Sequence, residues 1–306
     1  MYRPSPGRRR SRMSRDLQAE QQVLSRLPTF FVGGLPRSGT TWVQQLLNAH
    51  PQVVCLGESH FFNDLAAGLA RVAQGYAKRR AEGQNTWAPT VRGPVERTMY
   101  PVFRAAFVAL VQENLEGGNP EDLVAIGEKT PDNLMLLHRI WTIFPSARFI
   151  NVIRDGRDGA VSAYIRFRSK LPESMTQLDY ARAYAEGWEK RIREARELAK
   201  GRSYLEVRYE DLHADADAQS ARLFSFLGAD SSPETVRKAI ETASFEKLSG
   251  GRKRGQEDPA SHYRRGEVGG WAAVLSPAEV EAFEAVAGPM MDTLGYARAA
   301  DKARSA

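Results

Sequence analysis

A glycine-rich stretch near the N-terminus has the composition of an anion-binding loop. Residues 34–41 read GLPRSGTT, with two glycines at the spacing of the phosphate-binding motif G-x-x-x-x-G-K-[ST]. Backbone N–H groups of such a loop, and of the helix that follows it, can surround a phosphate. Thr40 stands where nucleoside triphosphate enzymes carry lysine, which argues against a triphosphate. Arg37 can instead offer its charge to a single phosphate that bears a transferable group.

A second candidate anion site follows the apolar run Phe149–Ile153. Residues 154–159 read RDGRDG, and Ser162 stands eight positions after Arg154. A guanidinium at a strand end can bind a phosphate through two bonds, and a hydroxyl two helical turns later can add another. Arg166, one turn beyond Ser162, can assist. An isolated string of this kind could be a turn with surface charges, but its place after an apolar run favours anion binding.

The elements that position these residues alternate between strand and helix. Four apolar runs predict strands, namely Thr29–Val32, Leu123–Ile126, Arg148–Ile153 and Tyr204–Tyr209. The helices predicted after the first three are Thr40–Ala49, Pro131–Phe144 and Asp158–Arg168. This alternation predicts an α/β fold, with a parallel β-sheet of the P-loop type flanked by helices on both faces. Ligands of such sheets bind beyond the carboxyl ends of the strands.

Other stretches are predicted to be additions to this framework. Three inserted helices are expected at Phe61–Gly75, Met99–Glu116 and Leu178–Lys200. Residues 76–98 and 249–270 are rich in glycine, arginine and polar groups and are predicted loops, the second being a C-terminal Arg/Gly-rich loop. The predicted organisation is a basic, disordered tail over residues 1–26, a single domain over 27–298 and a short tail over 299–306.

The first loop resembles that of the sulfotransferases that use 3′-phosphoadenosine-5′-phosphosulfate (PAPS), which reads Pro-Lys/Arg-Ser-Gly-Thr-Thr; this chain has Pro36–Thr41. The resemblance implies that the 5′-phosphosulfate is held by Arg37, Ser38, Gly39, Thr40 and Thr41. It also implies that Trp42 flanks the nucleotide, although simple packing under the helix is an equal alternative.

Further likenesses to this family concern the 3′-phosphate. Its 3′-phosphate motif, like residues 154–162, has an arginine at a strand end and a serine eight residues later, which implies that Arg154 and Ser162 bind there. Residues 262–271, HYRRGEVGGW, resemble a segment Arg-Lys-Gly-x-x-Gly-x-Trp that closes over the same phosphate. The segment implies binding by Arg264, Arg265 and Gly266, with residues 250–255 as a competing match. Tyr209, in a Tyr-Glu-Asp segment, is implied to approach adenine.

The resemblance leaves the general base open. Cytosolic family members use the histidine of a Lys-Thr-His segment, but here Pro131 follows Lys129 and Thr130. Glu58, after a short strand, matches the distance of the catalytic glutamate in tyrosylprotein sulfotransferases, which residues 36–58 and 289–296 also resemble. His60 is the rival, since an unperturbed imidazole titrates near neutral pH. Lys129 and Arg37 are the candidates for stabilising the sulfuryl group in transfer.

The net charge and the amino-acid composition limit the kinds of binding partner and the cell compartment that are expected. The formal charge of +6 among 306 residues suggests an anionic partner, which could be nucleic acid, a membrane surface or a small phosphorylated ligand. The arginines fall at loop ends beside glycines, which favours the small ligand over nucleic acid. One cysteine and no long apolar run favour the cytoplasm, without a transmembrane segment. The histidines have no ligand spacing with one another or with Cys55, which predicts no metal.

The residues and the resemblance together predict a metal-independent enzyme. It would move a sulfuryl group from PAPS, in line, to an acceptor hydroxyl or amine and release adenosine 3′,5′-bisphosphate (PAP). The acceptor is left open among a small molecule, a glycan, a lipid and a peptide. The alternative is a nucleotide or small-molecule kinase of the P-loop type that lacks the usual lysine.

Overall fold

The computed structural model describes residues 17–82, 96–115, 118–253, 255–256 and 266–299. In this part of the chain, a parallel sheet of five strands has the order β2-β3-β1-β4-β5. The strands are β1 (Thr29–Gly34), β2 (Val53–Leu56), β3 (Ala125–Lys129), β4 (Arg148–Ile153) and β5 (Tyr204–Arg208). The central strand β1 therefore places the loop after it in the middle of the carboxyl edge of the sheet.

Helices cover both faces of the sheet. One face packs against α1 (residues 17–26), α3 (Ala66–Glu82), α4 (Tyr100–Glu113) and α5 (Leu137–Ile143). The other face packs against α2 (Thr40–Asn48), α9 (Ala216–Leu227) and α10 (Pro233–Thr242). The remaining α-helices are α6 (Gly156–Phe167), α7 (Gln177–Leu198), α8 (Tyr209–Ala214), α11 (Phe245–Leu248) and α12 (Pro277–Thr293).

Shorter turns complete these connections. A π-helical turn, Phe61–Leu65, leads into α3, and 3₁₀ turns occupy Glu96–Met99, Pro120–Asp122, Pro131–Leu136, Arg168–Lys170 and Gly270–Ala273. The fold class predicted from the sequence is confirmed.

Side chains of the central strand β1 pack into the core on both faces of the sheet and so support the loops at its carboxyl edge. Consecutive residues of β1 point to opposite faces, so Phe31 joins an aromatic cluster with Phe62, Phe107 and Phe144, while Phe30 enters the core on the other side. All of these rings are at most 6% exposed. Burial of one phenylalanine stabilises a fold by about 1.5–3 kcal/mol. The loops at the carboxyl edge therefore stand on a firmly packed base.

Three sequence predictions are corrected by the structure. Residues 17–26 were placed in a disordered tail, but they form α1, whose Leu24 is fully buried in the core. The second strand was predicted at Leu123–Ile126, yet β3 spans Ala125–Lys129 and includes the polar Glu128 and Lys129, both of which the fold buries. Residues 76–82 were predicted to be loop and instead extend α3. Residues 1–16 lie outside the described part of the chain.

Candidate active site

A cavity of about 370 Å³ opens at the carboxyl edge of the sheet. The loops after β1, β2, β3, β4 and β5 all contribute to its wall, as expected for a ligand site in a parallel sheet. The lining residues are Pro36, Arg37, Gly39, Thr40, Thr41, Trp42, Glu58, His60, Pro131, Asp132, Arg154, Asp158, Ser162, Arg166, Phe167, Tyr209, His213, Phe245, Leu248, Gly266, Glu267 and Gly270. Its volume is in the range of sites for small ligands.

The loop after β1 is held in a strained, close-fitting conformation. Gly39, directly before α2, has a φ of 97°, and a Cβ added there would lie 2.5 Å from the Tyr209 ring. Arg37 has a φ of 73°, which few residues other than glycine adopt. Tyr184 donates from its hydroxyl to the Pro36 carbonyl at 3.0 Å, and burial raises the pKa of this phenol, so it remains a donor. The loop is thus fixed before any ligand binds.

Arg154 fixes the loop after β4. Its guanidinium donates to the Glu267 carbonyl at 2.8 Å and to the Arg37 carbonyl at 3.4 Å, and it lies over the Tyr209 ring. Its Nε is buried and has no hydrogen-bond partner among the described residues. Burial alone would lower the pKa of Arg154, but the nearby Tyr209 and Asp158 raise this pKa by more than burial lowers it. The guanidinium therefore stays charged. A single cation therefore connects three segments around the cavity.

The two candidate anion sites meet inside this cavity. Arg37 donates from Nε to the Ser162 hydroxyl at 3.0 Å, which joins the loop after β1 to helix α6. Arg166, one turn further along α6, is exposed and also lines the wall. Arg37, Arg154, Arg166 and the N-terminus of α2 surround one space, where an anion would be stabilised by charge and by backbone N–H groups.

The second arginine of residues 154–159 has a different position. Arg157 is 1% exposed and forms ion pairs with Asp155 and Glu284, both at 2.7 Å, while its guanidinium lies 3.9 Å from the centre of the Trp271 ring. It does not line the cavity. Asp155 also accepts a bond from the Arg157 N–H and caps α6. Arg157 is therefore a framework residue, and Arg154 is the arginine of this pair that faces the ligand space.

An ion pair stands at another part of the wall. Lys129, at the end of β3, donates to the Glu58 carboxylate at 2.7 Å and to the Thr41 hydroxyl at 3.3 Å. The Lys129 side chain is 3% exposed and lies behind these two groups, whereas Glu58 is 40% exposed and reaches the cavity. His60 Nε2 lies 4.0 Å from the same carboxylate. This arrangement offers a carboxylate and a histidine as proton acceptors, next to the loop after β1.

A family model described as the sulfotransferase family matches residues 28–233, well over half of the chain. The chain belongs to the sulfotransferase family. Protein-tyrosine sulfotransferase 2 of Gallus gallus is 25% identical over 213 residues, which are 68% of this chain and 53% of that protein. Protein-tyrosine sulfotransferase A of Caenorhabditis elegans is 26% identical over 203 residues, or 65% of this chain and 50% of that one. The chain spans about half the length of these relatives.

Solved structures support the same fold. A mouse sulfotransferase complexed with PAP has a TM-score of 0.56 to this chain at 16% identity, over 94% of both chains. The sulfotransferase domain from the curacin biosynthetic pathway has a TM-score of 0.51 at 17% identity, over 89% of this chain and 99% of that one. The family resemblance read from the loop motifs is confirmed.

Most residues predicted from the sulfotransferase motifs lie around the one cavity. Lining residues among them are Arg37, Gly39, Thr40, Thr41, Trp42, Glu58, Arg154, Ser162, Arg166, Tyr209 and Gly266. Ser38 is an exception, because its buried hydroxyl lies behind the loop, with Asn151 nearby, and has no partner among the described residues. Trp42 lines the cavity and also donates to the Ala243 carbonyl, so its packing role is seen and its contact with a nucleotide stays a prediction. Arg264 and Arg265 lie outside the described residues.

Asp158 and His213 are lining residues of the cavity that were not predicted as site residues from the sequence. Asp158 is 3% exposed and accepts bonds from the backbone N–H groups of Gly269 and Trp271, each at 2.8 Å, so it fixes the C-terminal segment beside Arg154. Asp158 could have been noticed in the sequence because it is a charged residue within the stretch 154–159, which was already a candidate site. His213 lines the cavity and packs against Trp42 and Tyr209. Its place one helical turn after Tyr209 was the signal there.

Two absences hold for the residues that the structure describes. In that part of the chain, no three His, Cys, Asp or Glu side chains are grouped so that they could hold a metal ion. None of the helices described there is both long and apolar enough to span a membrane. Independence from metals stays a prediction.

Proposed function

We propose that this chain transfers a sulfuryl group from PAPS to an acceptor hydroxyl or amine, with Glu58 as the general base. The observation that carries the proposal is the contact between Arg37 and Ser162. It brings the candidate 5′ site and the candidate 3′ site into one cavity of about 370 Å³, which suits one nucleotide with a phosphate at each end. Glu58 lies on the wall of the same cavity.

Residues of this chain fit such a nucleotide. The N–H groups at the start of α2, with Arg37, would bind the 5′-phosphosulfate, while Arg154 and Ser162 would bind the 3′-phosphate. The aromatic side chains of Trp42 and Tyr209 would lie beside the adenine. The unpartnered, buried Nε of Arg154 supports this assignment, because buried donors in proteins are nearly always paired.

Chemically, the acceptor oxygen or nitrogen would form a bond to sulfur while the bond between sulfur and the phosphate oxygen breaks. The acceptor proton would pass to Glu58, and PAP would leave with the electron pair of the broken bond. Arg37 would stabilise the negative charge that develops on the bridging oxygen. Lys129, through its contacts with Glu58 and Thr41, would hold the base in place and add positive charge near the sulfuryl group.

The relatives and neighbours support the donor and suggest one acceptor. Two matched structures, the mouse sulfotransferase and a retinol dehydratase with a TM-score of 0.50 and 20% identity, hold PAP. The curated relatives are named protein-tyrosine sulfotransferases. A tyrosyl peptide is therefore the first acceptor to test, followed by a phenol, a sugar and a lipid alcohol.

The test is transfer of labelled sulfate from PAPS to this panel of acceptors in the presence of EDTA. The proposal expects transfer to at least one acceptor, with stoichiometric release of PAP and no effect of EDTA. The Glu58→Gln variant serves as the matched inactive control. Failure to bind PAP, or magnesium-dependent transfer of phosphate from ATP instead, would contradict the proposed function.

A further inference from the structure

Glu128 is a buried carboxylate that the proposed reaction does not use. It is 0% exposed, lies next to Lys129 in β3 and does not line the cavity. Removing a carboxylate from water is costly unless hydrogen bonds replace its hydration. Burial accordingly raises the pKa of Glu128, against the opposing effect of its hydrogen bonds.

Three side chains donate to this carboxylate. Thr130 donates at 2.8 Å and Ser59 at 3.0 Å, both to Oε2, and Asn133 donates to Oε1 at 2.7 Å. Both oxygens are therefore engaged, in a space closed to water. Asn133 also donates to the Val32 carbonyl at 3.2 Å, which ties the group to the central strand β1.

One of the three donors, Ser59, belongs to the segment that carries the candidate base, and the other two follow β3. Ser59 stands between Glu58 and His60, so its bond fixes the backbone on both sides. The Thr130 hydroxyl accepts from the His60 N–H at 3.3 Å while it donates to Glu128. His60 has a φ of 48°, a conformation that persists only where the surroundings hold it. The pairing of β2 with β3 stops where β2 ends, at Leu56. Beyond that point, the side chains of Ser59 and Thr130 connect the segment 57–60 to the end of β3.

We propose that Glu128 is a positioning residue for sulfuryl transfer: its carboxylate anchors the segment 57–60 to β3 and so sets the Glu58 carboxylate against Lys129 at the cavity wall. This inference rests on the proposed function. It assigns Glu128 no contact with the substrate, and it places the effect on the chemical step rather than on nucleotide binding, because the 5′ and 3′ sites are built by other loops.

The experiment compares Glu128→Gln with Glu206→Gln by the transfer assay and by PAP titration. Glutamine keeps the shape but has one acceptor oxygen for three donors. Glu206, on β5 and outside the cavity lining, is the matched control. It too accepts three hydrogen bonds, two from Arg196 and one from Tyr204. We expect Glu128→Gln to lower kcat by roughly 10- to 100-fold, the scale of a misplaced catalytic group. Its PAP affinity should stay within about twofold of wild type, and Glu206→Gln should keep kcat within about twofold.

A double-mutant cycle with Ser59→Ala separates positioning from general damage. If Glu128 acts through Ser59, the two losses in kcat should be strongly non-additive, whereas independent structural damage would multiply them. Wild-type kcat in Glu128→Gln, equal loss of PAP affinity, or additive losses would overturn the inference. Should Glu128→Gln fail to fold, Ser59→Ala and Thr130→Val each test it alone: either must lower kcat with PAP affinity kept. Absence of sulfuryl transfer by the wild type would instead refute the proposed function.

Discussion

The proposed nucleotide end and the proposed acceptor end of the cavity are built in different ways. The nucleotide end consists of two continuous stretches, residues 34–41 and 154–162, each a strand end followed by a helix start. At the acceptor end, Glu58 and Lys129 come from the loops and strand ends of β2 and β3, 71 positions apart in the chain. Arg154 is 13% exposed, whereas Glu58 is 40% exposed. Each half of the proposed nucleotide end is therefore continuous in sequence, and the fold joins the two halves at Arg37 and Ser162, 125 positions apart. The proposed acceptor end has no such continuous stretch, and its Glu58 is more exposed than Arg154.

This difference separates binding from chemistry. A change at the nucleotide end should act on affinity or on the stability of the framework, while a change at the acceptor end should act on turnover. Substitutions at either end, together with a change of pH, test this separation.

The largest effect is expected from Arg157→Ala. It leaves the buried carboxylates of Asp155 and Glu284 without their cation, and breaking a buried ion pair costs about 3–5 kcal/mol. Thermal or denaturant unfolding measures this loss. Any protein that remains folded should still prefer PAP to adenosine 5′-monophosphate (AMP). A selective loss of that preference, with normal stability, would move Arg157 from the framework to the binding site.

The second effect concerns the base. Glu58→Ala should lower kcat by about 100-fold or more, equal to about 2.7 kcal/mol, because no other carboxylate among the described residues takes its place on Lys129. PAP affinity should be unchanged in a direct titration. His60→Ala is the paired variant and should keep kcat within a few-fold of wild type. The opposite ranking of the two variants would make His60 the base.

The third effect tests the nucleotide end. Arg154→Ala should weaken PAP binding by roughly 10- to 100-fold, since a hydrogen bond to a charged group contributes about 1.5–3 kcal/mol. AMP lacks the 3′-phosphate, so its binding should change far less, and the preference for PAP should shrink. Calorimetric titration of both nucleotides provides the comparison. Equal weakening of both would show that Arg154 acts through the loop after β1, which it contacts at the Arg37 carbonyl.

The smallest effect is a pH dependence of stability. Burial raises the pKa of Glu128, so its contribution to folding is fully present below the pKa of an unfolded glutamate, about 4.3. That contribution is lost as the pH rises through the higher pKa of the folded state. In Glu128→Gln this loss should be absent. Tm measured from pH 4.5 to 8 should fall by a few degrees more in wild type than in the variant; parallel curves would contradict the assignment.

The motifs of the proposed nucleotide end could be found in the sequence because each is a continuous stretch. The glycine-rich loop lies between one strand and one helix, and Arg154 lies just before the helix α6 that carries Ser162. Binding of a nucleotide by these residues stays a prediction. The acceptor end depends on strand order, which brings β2 beside β3, and no spacing in the chain reveals that contact. Lys129 was predicted to stabilise the sulfuryl group during transfer, but the sequence did not predict that the fold buries both Glu128 and Lys129.

Helix α1 was missed for a related reason. Its residues are mostly polar, and the sequence gives no sign that Leu24 enters the core beside the aromatic cluster of β1. Ser38 shows the converse limit, since the motif predicts a hydroxyl directed at the phosphate and the structure directs it into the protein. Side-chain direction within a tight loop depends on packing that a motif does not encode.

The most direct measurement is calorimetric titration of the wild-type protein with PAP, with AMP and with adenosine 3′-monophosphate. If one nucleotide spans the Arg37 and Arg154 sites, PAP should bind at least about tenfold more tightly than either monophosphate, since each lacks one set of charge-assisted bonds. An affinity for either monophosphate equal to that for PAP would show that the two sites do not hold one ligand.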